Sequence, residues 1–472
     1  TTLKGVTARK AQEIAESFRQ HMGLRRLMAF LAQYQLPPVL AMELRRQYGD
    51  AALEKVRENP YLLSGEACGV EFSVTDGIAM GMGLAADSDQ RLQAAVTFEL
   101  SHNENNGHVF LPRNKLISAT TQLLDSGAEL VEQALDSLIE RGAVVQEQVA
   151  NVEACYLRRL WEAECSACIR LAGLLAADTD CSAQAGRAVD ELEAQQGITY
   201  APLQRQAVEL AARTGVLVLT GGPGTGKTTT VRGIVALFRR MGLEIVLAAP
   251  TGRAAKRMSE LTGMEAQTVH RMLGMSWNDV THQVTFQKTE KEPLEADAVI
   301  VDEMSMVDLA LFSALLRALR PGTRLVLVGD ADQLPSVGAG NVFSDLIRSG
   351  RVETVFLREV FRQAEQSAII RNAHAVNLGQ PPQLANNQGD FFFLCRRDGE
   401  RTLSTVVELC KTRLPDHMGI PADQIQVLTP TRKGPSGTEN LNRCLQAALN
   451  PPAADKREIQ WGERLFRHRR PD

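Results

Sequence analysis

The residues best suited to chemistry are a lysine and a threonine that close a glycine-rich run, and a pair of acids further along the chain. Residues 221–230 read GGPGTGKTTT. Glycines let backbone N–H groups close around phosphate oxygens, and a helix that starts at the lysine adds favourable partial charge. In that arrangement Gly222, Pro223, Gly224, Thr225, Gly226, Lys227, Thr228 and Thr229 form a phosphate cradle. Lys227 pairs with the β- and γ-phosphates of a nucleoside triphosphate, and Thr228 holds Mg²⁺. An ordinary glycine turn before a helix would not require the full pattern. Residues 297–308, DAVIVDEMSMVD, bring Asp302 and Glu303 to the end of an apolar run. Asp302 suits Mg²⁺, directly or through water, and Glu303 suits orienting and deprotonating an attacking water. A solvated helix N-terminus would also accept two acids. Their position downstream of a glycine loop favours the catalytic role. GDADQLPSVGAG then offers Asp330 and Gln333, the latter as a sensor of the γ-phosphate or as part of a polar loop capping the next helix. Upstream, YAPLQRQAVELA offers Gln204, with Gln206 as second choice, to read an adenine edge and so favour ATP over GTP. A glutamine on a helix surface is the plainer alternative.

These groups need a scaffold that delivers them to one place. VLVLTG (216–221), EIVLAAP (244–250), DAVIVDE (297–303) and RLVLVGD (324–330) are near-continuous apolar runs separated by amphipathic helical stretches. That texture predicts a buried parallel sheet, with every motif just past the C-terminal end of a strand, where open α/β sheets bind ligands. This first α/β unit is expected over 196–356, with a β-hairpin inserted at about 275–295. In the hairpin Trp277 or Phe286 would stack on bases or simply pack. FFFLC (391–395) and QIQVLTPT (424–431) as strands, and GTENLNRCLQAAL as a helix, predict a second α/β unit over 357–472.

Residues 1–85 read as short helices broken by glycines. LKGVTARKAQEIAESF and GVEFSVTDGIAMGMG have helix-hairpin-helix character, although the second turn glycine is Thr7 in one and Glu71 in the other. Glu71 would repel a phosphate, so packing and phosphate binding both stay open. Residues 86–160 carry a winged-helix pattern whose helix ELVEQALDSLIERG lacks cations, which favours protein docking over duplex DNA. A helical linker is expected over 161–195.

With 472 residues and a formal charge of −4, the chain is no polycation, and nucleic-acid contact would have to use local surface. Of eight cysteines only Cys165 and Cys168 form a CxxC pair, without the second pair or the histidines a zinc site would need. Structural, reduced thiols and a cytoplasmic setting are expected. No apolar run reaches the ~18 residues of a membrane span. The start, TTLKG, has no signal-peptide pattern and no initiator Met, as expected of an internal or trimmed piece.

PTGRAAKRMSE (250–260), TVHRML (268–273), VIVDEMS, GDADQLPSVGAGNVFSDL and LREVFRQ (357–363), in that order, resemble the motif series of RecD-like helicases, a 5′→3′ branch of superfamily 1. The N-terminal region, with ENPYLL and GHVFLPR, resembles the stand-alone bacterial form of that family. The resemblance implies a multidomain chain in which a helical, helix-hairpin-helix and winged-helix-like N-terminal region precedes RecA-like α/β P-loop motor domains. It also implies ATP and Mg²⁺, and a monomeric motor that works on single-stranded DNA and single/double-strand junctions. Thr251, Gly252 and Arg253, Thr268 and His270, and Thr429, Thr431 and Arg432 match the strand-contacting segments. Hydroxyls and a helix N-terminus suit phosphate oxygens. A lone histidine is as often structural, and Arg253, Lys256 and Arg257 also suit a solvated helix face. Arg362 matches the γ-phosphate arginine supplied by the second motor domain. The family's barrels, its Ser-Gln-Gly-Ser/Thr segment and its Thr-Arg-Ala segment do not occur here, so the second motor domain is expected to be incomplete. The leading expectation is an ATP-dependent 5′→3′ DNA helicase or translocase whose hydrolysis single strands stimulate. The alternative is a DNA-binding or docking fragment with a silent ATPase. A different P-loop enzyme, such as a kinase or a DNA-loading ATPase, is disfavoured by the motif order.

Overall fold

The computed structural model describes residues 22–65, 68–176, 182–277, 284–358, 367–384, 389–453, 456–462 and 464–468. The chain divides into two compact units, Thr1–Gln366 and Ser367–Asp472. Among the described residues no helix is long and apolar enough to cross a membrane.

The first unit opens with helices α1 (22–33), α2 (Leu40–Tyr48), α3 (Ala52–Glu58) and α4 (Phe72–Gly81). Leu31, Leu44, Val56, Leu63 and Ile78 bury together between them. Glu71 immediately precedes α4; the first helix-hairpin-helix stretch, residues 3–18, lies outside the described residues. Helix α5 (Asp89–Glu104) is joined to α4 by Asp76, which accepts hydrogen bonds from Arg91 at 2.8 and 2.9 Å and from the Tyr61 hydroxyl at 2.6 Å.

A winged-helix arrangement follows: β1 (Phe110–Pro112), α6 (Arg113–Leu124), α7 (Ala128–Glu140), β2 (Val144–Val149) and β3 (Val152–Leu157). The antiparallel order is β1-β3-β2. On α7, Val131, Ala134, Leu135 and Leu138 are buried, while Glu129, Glu132, Asp136 and Glu140 face outward. Two of those acids are bound by Arg113, and among the described residues α7 itself carries no cation for a DNA backbone.

The described residues of 161–195, expected as a helical linker, are helical and pack against the main sheet of the first unit. They form α8 (Arg158–Leu175) and α9 (Ser182–Gln196), which cover opposite faces of the main sheet. Ala167 and Leu174 of α8 bury against Val216, Val218 and Leu315, while Val189 and Leu192 of α9 bury against Ala207, Leu217 and Phe238. An Ala/Leu-rich helix reads the same whether it spans or packs; only burial separates the two. Cys165 and Cys168 sit one turn apart within α8.

The main sheet has six parallel strands: β4 (Val216–Gly221), β5 (Ile245–Ala249), β6 (Ala266–Thr268), β9 (Ala298–Val301), β10 (Arg324–Gly329) and β11 (Glu353–Leu357), in the order β11-β4-β10-β9-β5-β6. Successive residues alternate between two cores. Val218, Val299 and Leu327 face one, and Leu217, Ile300 and Val326 face the other, as a sheet covered on both sides requires. Helices α10 (Pro202–Arg213), α11 (Lys227–Arg240), α12 (Gly252–Thr262), α13 (Val269–Met272), α14 (Leu309–Ala318) and α15 (Val342–Ser349) complete the layers. A small antiparallel hairpin, β7 (Met275–Trp277) with β8 (Val284–Phe286), stands apart from the sheet.

The second unit contains α16 (Ala368–Asn377), α17 (Gly399–Glu408), α18 (Leu414–Met418) and α19 (Thr438–Leu449). Its hairpin pairs β12 (Glu458–Trp461) with β13 (Arg464–Arg467). Residues 391–395 and 424–431, expected as strands, join no ladder among the described residues; 391–395 and 425–429 carry no regular structure, and Gln424 ends a short 3-10 turn. An apolar run becomes a strand only when a neighbour takes its N–H and C=O groups, and no described segment does so here.

Candidate functional site

Strand β4 ends at Gly221, where a side chain has no room. A Cβ there would lie 2.7 Å from Thr225 Oγ1 and 2.8 Å from the Leu357 carbonyl of β11. The loop then turns through Gly226, whose φ of +82° suits glycine and which caps the start of α11. Thr225 is buried and donates its hydroxyl to the Gly222 carbonyl at 2.8 Å. Lys227 begins α11 and donates to the Gly221 carbonyl, with the Gly222 carbonyl at 3.5 Å. Its ammonium therefore rests inside the cradle it would share with phosphate. Thr228 is half-buried and Thr229 exposed on the first turn of the same helix.

Asp302 and Glu303 leave the tip of β9. The Asp302 N–H donates to Ala248 of β5 at 2.9 Å, and its Oδ1 accepts from the Glu303 N–H at 2.9 Å. Burial pushes the Asp302 carboxyl up from the usual aspartate range, against the opposing pull of the Glu303 N–H, Lys227 and Arg257. Glu303 is also pushed up, first by burial and then by the neighbouring Asp302. It is held at φ +55°, ψ +42°, a left-handed conformation that disfavours any residue with a Cβ. Strain at the residue nominated as base fits a functional position.

Past β10, Asp330 is buried and accepts from the Gln333 N–H at 3.2 Å, which fixes the turn that carries Gln333. Gln204 is only 4% exposed, and both ends of its amide are engaged. Its Oε1 accepts from the Ala201 N–H at 3.1 Å and its Nε2 donates to the Gly226 carbonyl at 3.4 Å. Gln204 thus fastens the start of α10 to the phosphate loop, an arrangement hidden in the sequence.

Gln204, the 222–229 loop, Asp302, Glu303 and Gln333 line one cleft of about 720 Å³. Sequence reading missed its other wall, made by Ile198 and Thr199 ahead of α10 and by Ala254, Arg257, Met258 and Leu261 of α12. The spacing i, i+3, i+4, i+7 within 254–261 was the signal, since it is one stripe of a helix.

The candidate strand contacts fall elsewhere. Thr251 caps α12, accepting from the Ala254 N–H at 3.2 Å, and Thr268 caps α13, accepting from Arg271 at 3.2 Å. Strands β5 and β6 pair Ala249 with Thr268, so both threonines sit at the same sheet edge. Gly252 and Arg253 are exposed there. His270 is half-buried, its ring 6.4 Å from Phe286. Thr429, Thr431 and Arg432 belong to the second unit. Thr429 donates to the Ser436 carbonyl at 2.8 Å, the Thr431 carbonyl accepts from Thr438 at 3.0 Å, and exposed Arg432 pairs with Glu439 at 2.9 Å. Arg362 lies outside the described residues.

Sheet and cleft define a P-loop nucleotide-binding domain behind a helical N-terminal region. Residues 204–339 match the AAA domain family, and residues 20–110 match the family of the ATP-dependent RecD2 DNA helicase HHH domain. The chain is 33% identical over 95% of its length to the ATP-dependent RecD2 DNA helicase of Deinococcus radiodurans, covering 61% of that protein. It is also 33% identical, over 65% of its length, to the RecBCD enzyme subunit RecD of Mycolicibacterium smegmatis, covering 59% of that protein. The chain is thus similar to RecD-like helicases over nearly all of its length, and spans about three fifths of the length of these relatives.

Proposed function

We propose that this chain hydrolyses ATP in the cleft and couples the cycle to movement along single-stranded DNA, as an ATP-dependent 5′→3′ DNA helicase or translocase. The observation that carries the reading is the convergence of Gln204, Lys227, Thr228, Asp302, Glu303 and Gln333, from separate stretches of sequence, on one cleft at the sheet's C-terminal edge. The donor chemistry fits: a cationic lysine at a helix N-terminus for phosphate oxygens, and a hydroxyl and a carboxylate as hard oxygen donors for Mg²⁺. When bound, Mg²⁺ supplies charge neutralisation at the phosphates. Lys227 holds the triphosphate. Glu303 takes a proton from the attacking water as its oxygen bonds to the γ-phosphorus and the bond to the ADP oxygen breaks. Gln333, on the turn fixed by Asp330, stands where a change at the γ-phosphate can be passed to the neighbouring loops. Thr251, Arg253, Thr268 and His270 serve the strand from the β5–β6 tips; Thr429, Thr431 and Arg432 are the candidate strand contacts of the second unit taken by itself, and Arg362, the candidate γ-phosphate arginine, lies outside the described residues. The unladdered 391–395 and 425–429 segments favour the second reading, a DNA-binding or docking module whose hydrolysis is silent.

The test is ATP hydrolysis with and without oligo-dT, and displacement of a strand from duplexes with a 5′ or a 3′ tail. Stimulation by oligo-dT with unwinding from the 5′ tail is expected. Lys227→Ala should abolish turnover while leaving DNA binding in place. Wild-type turnover in that variant would refute the phosphate site, and hydrolysis indifferent to oligo-dT would refute the motor.

A further inference from the structure

We propose that Arg257 contacts bound nucleoside triphosphate at its γ-phosphate end, as a cation supplied by α12 of the same unit. The proposal rests on the cleft being the triphosphate site. In the sequence Arg253, Lys256 and Arg257 form one basic run, but the helix separates them. Ala254, Arg257, Met258 and Leu261 share the stripe that lines the cleft together with Lys227 and the two acids. Arg253, Lys256 and Glu260 take the exposed side, where Lys256 and Glu260 approach to 4.0 Å.

A further observation bears on the guanidinium, which lines the same cleft as Lys227, Asp302 and Glu303. Among the described residues, Arg257 forms no ion pair or hydrogen bond. An uncommitted, planar, always-charged donor facing a phosphate cradle is suited to a forked contact with phosphate oxygens. Lys227 approaches from the loop and Arg257 from the facing helix, so a γ-phosphate would meet positive charge from two directions. The diphosphate left after cleavage would meet mainly the loop.

The experiment compares the binding of a non-hydrolysable ATP analogue and of ADP to the full chain, by titration with fluorescent derivatives. Arg257→Ala should weaken the triphosphate analogue about tenfold or more, as expected for a lost charge-assisted hydrogen bond, and ADP by no more than about threefold. Arg257→Lys should recover part of the loss, and Lys256→Ala should match wild type. Melting temperatures should not change, because the side chain is exposed. Wild-type analogue affinity in Arg257→Ala overturns the proposal. So do equal losses for ADP and the analogue, and so does reduced turnover at unchanged affinity, which would make Arg257 a positioning residue for Glu303. If Lys227→Ala also keeps full analogue affinity, the cleft assignment itself has failed; if only Arg257→Ala does, the α12 contact alone is wrong.

Discussion

Glu303 carries two separable penalties in the folded, nucleotide-free chain, and two substitutions divide them. Its backbone is left-handed, at φ +55° and ψ +42°, and burial beside Asp302 raises its carboxyl. Glu303→Gln removes the charge and keeps the backbone. Glu303→Gly removes both. A left-handed residue with a Cβ costs ~1–2 kcal/mol relative to an unstrained one. Glycine's larger loss of chain entropy takes back ~0.5–1 kcal/mol, so Gly should exceed Gln by about 0.5–1 kcal/mol. In a unit of this size that is about 1–3 °C in melting temperature. The sign of the charge effect follows from the raised folded-state value. Glu303's contribution to stability is fully present below the ordinary glutamate range and is lost as pH rises through the raised value. Wild type should therefore trail Glu303→Gln at pH 8, and the gap should close as pH is lowered through that value. Turnover should fall about 10²–10⁴-fold in both variants if Glu303 is the base. Thermal denaturation across pH, beside steady-state ATP hydrolysis, reads all of this. If both variants melt below wild type at pH 8, the strain and burial argument is wrong; if either hydrolyses ATP at the wild-type rate, Glu303 is not the base.

Asp76 is held below the usual aspartate range, first by the Arg91 hydrogen bonds and further by the Tyr61 hydroxyl. Its contribution to stability is present above the ordinary aspartate value and lost as pH falls through the lowered one. Asp76→Asn should cost about 1.5–3 kcal/mol in urea denaturation at pH 7 and flatten the acid limb of the stability curve; an unchanged acid limb would refute the assignment. Tyr200 is buried and its hydroxyl has no hydrogen-bond partner among the described residues. Tyr200→Phe should therefore stabilise the fold by about 1 kcal/mol, and a lower melting temperature would show that the hydroxyl is satisfied. Trp277 is 49% exposed on the inserted hairpin, whereas Phe286 packs against the core. Trp277→Ala should weaken oligo-dT binding by ~1–3 kcal/mol in anisotropy titrations at unchanged melting temperature. Phe286→Ala should lower the melting temperature instead, and the reverse pattern would exchange their roles.

Strands β4, β5, β9 and β10 were legible because their apolar runs are buried on both faces, whereas β6 and β11, short or partly exposed, do not read as strands in the sequence. The candidate nucleotide residues come to one cleft because their spacing is tied to the ends of β4, β9 and β10. What stayed hidden depends on partners that no local pattern specifies. The 161–195 helices look like a spacer until Leu174 and Leu192 are found in opposite cores. Residues 391–395 have the composition of a strand, but a ladder also needs a neighbour. Gln204 offers a donor and an acceptor in any sequence; that both meet backbone groups at Ala201 and Gly226 is a property of the folded loop.

The strand order itself divides the edge on which the chemistry is placed. Strands β4, β10 and β9 are consecutive neighbours in the sheet, and their tips carry the phosphate loop, Gln333 and the two acids. Strands β5 and β6 continue that edge, and their tips carry Thr251 and Thr268. The two halves meet where Asp302 donates its N–H to Ala248 of β5. Helix α12 starts from the β5 tip at Thr251 and places its 254–261 stripe along the cleft proposed for nucleotide. The segment proposed to hold the strand and the wall proposed to hold the γ-phosphate are thus one rigid helix. A parallel sheet provides this without any dedicated linker, because every strand releases its chain at the same edge.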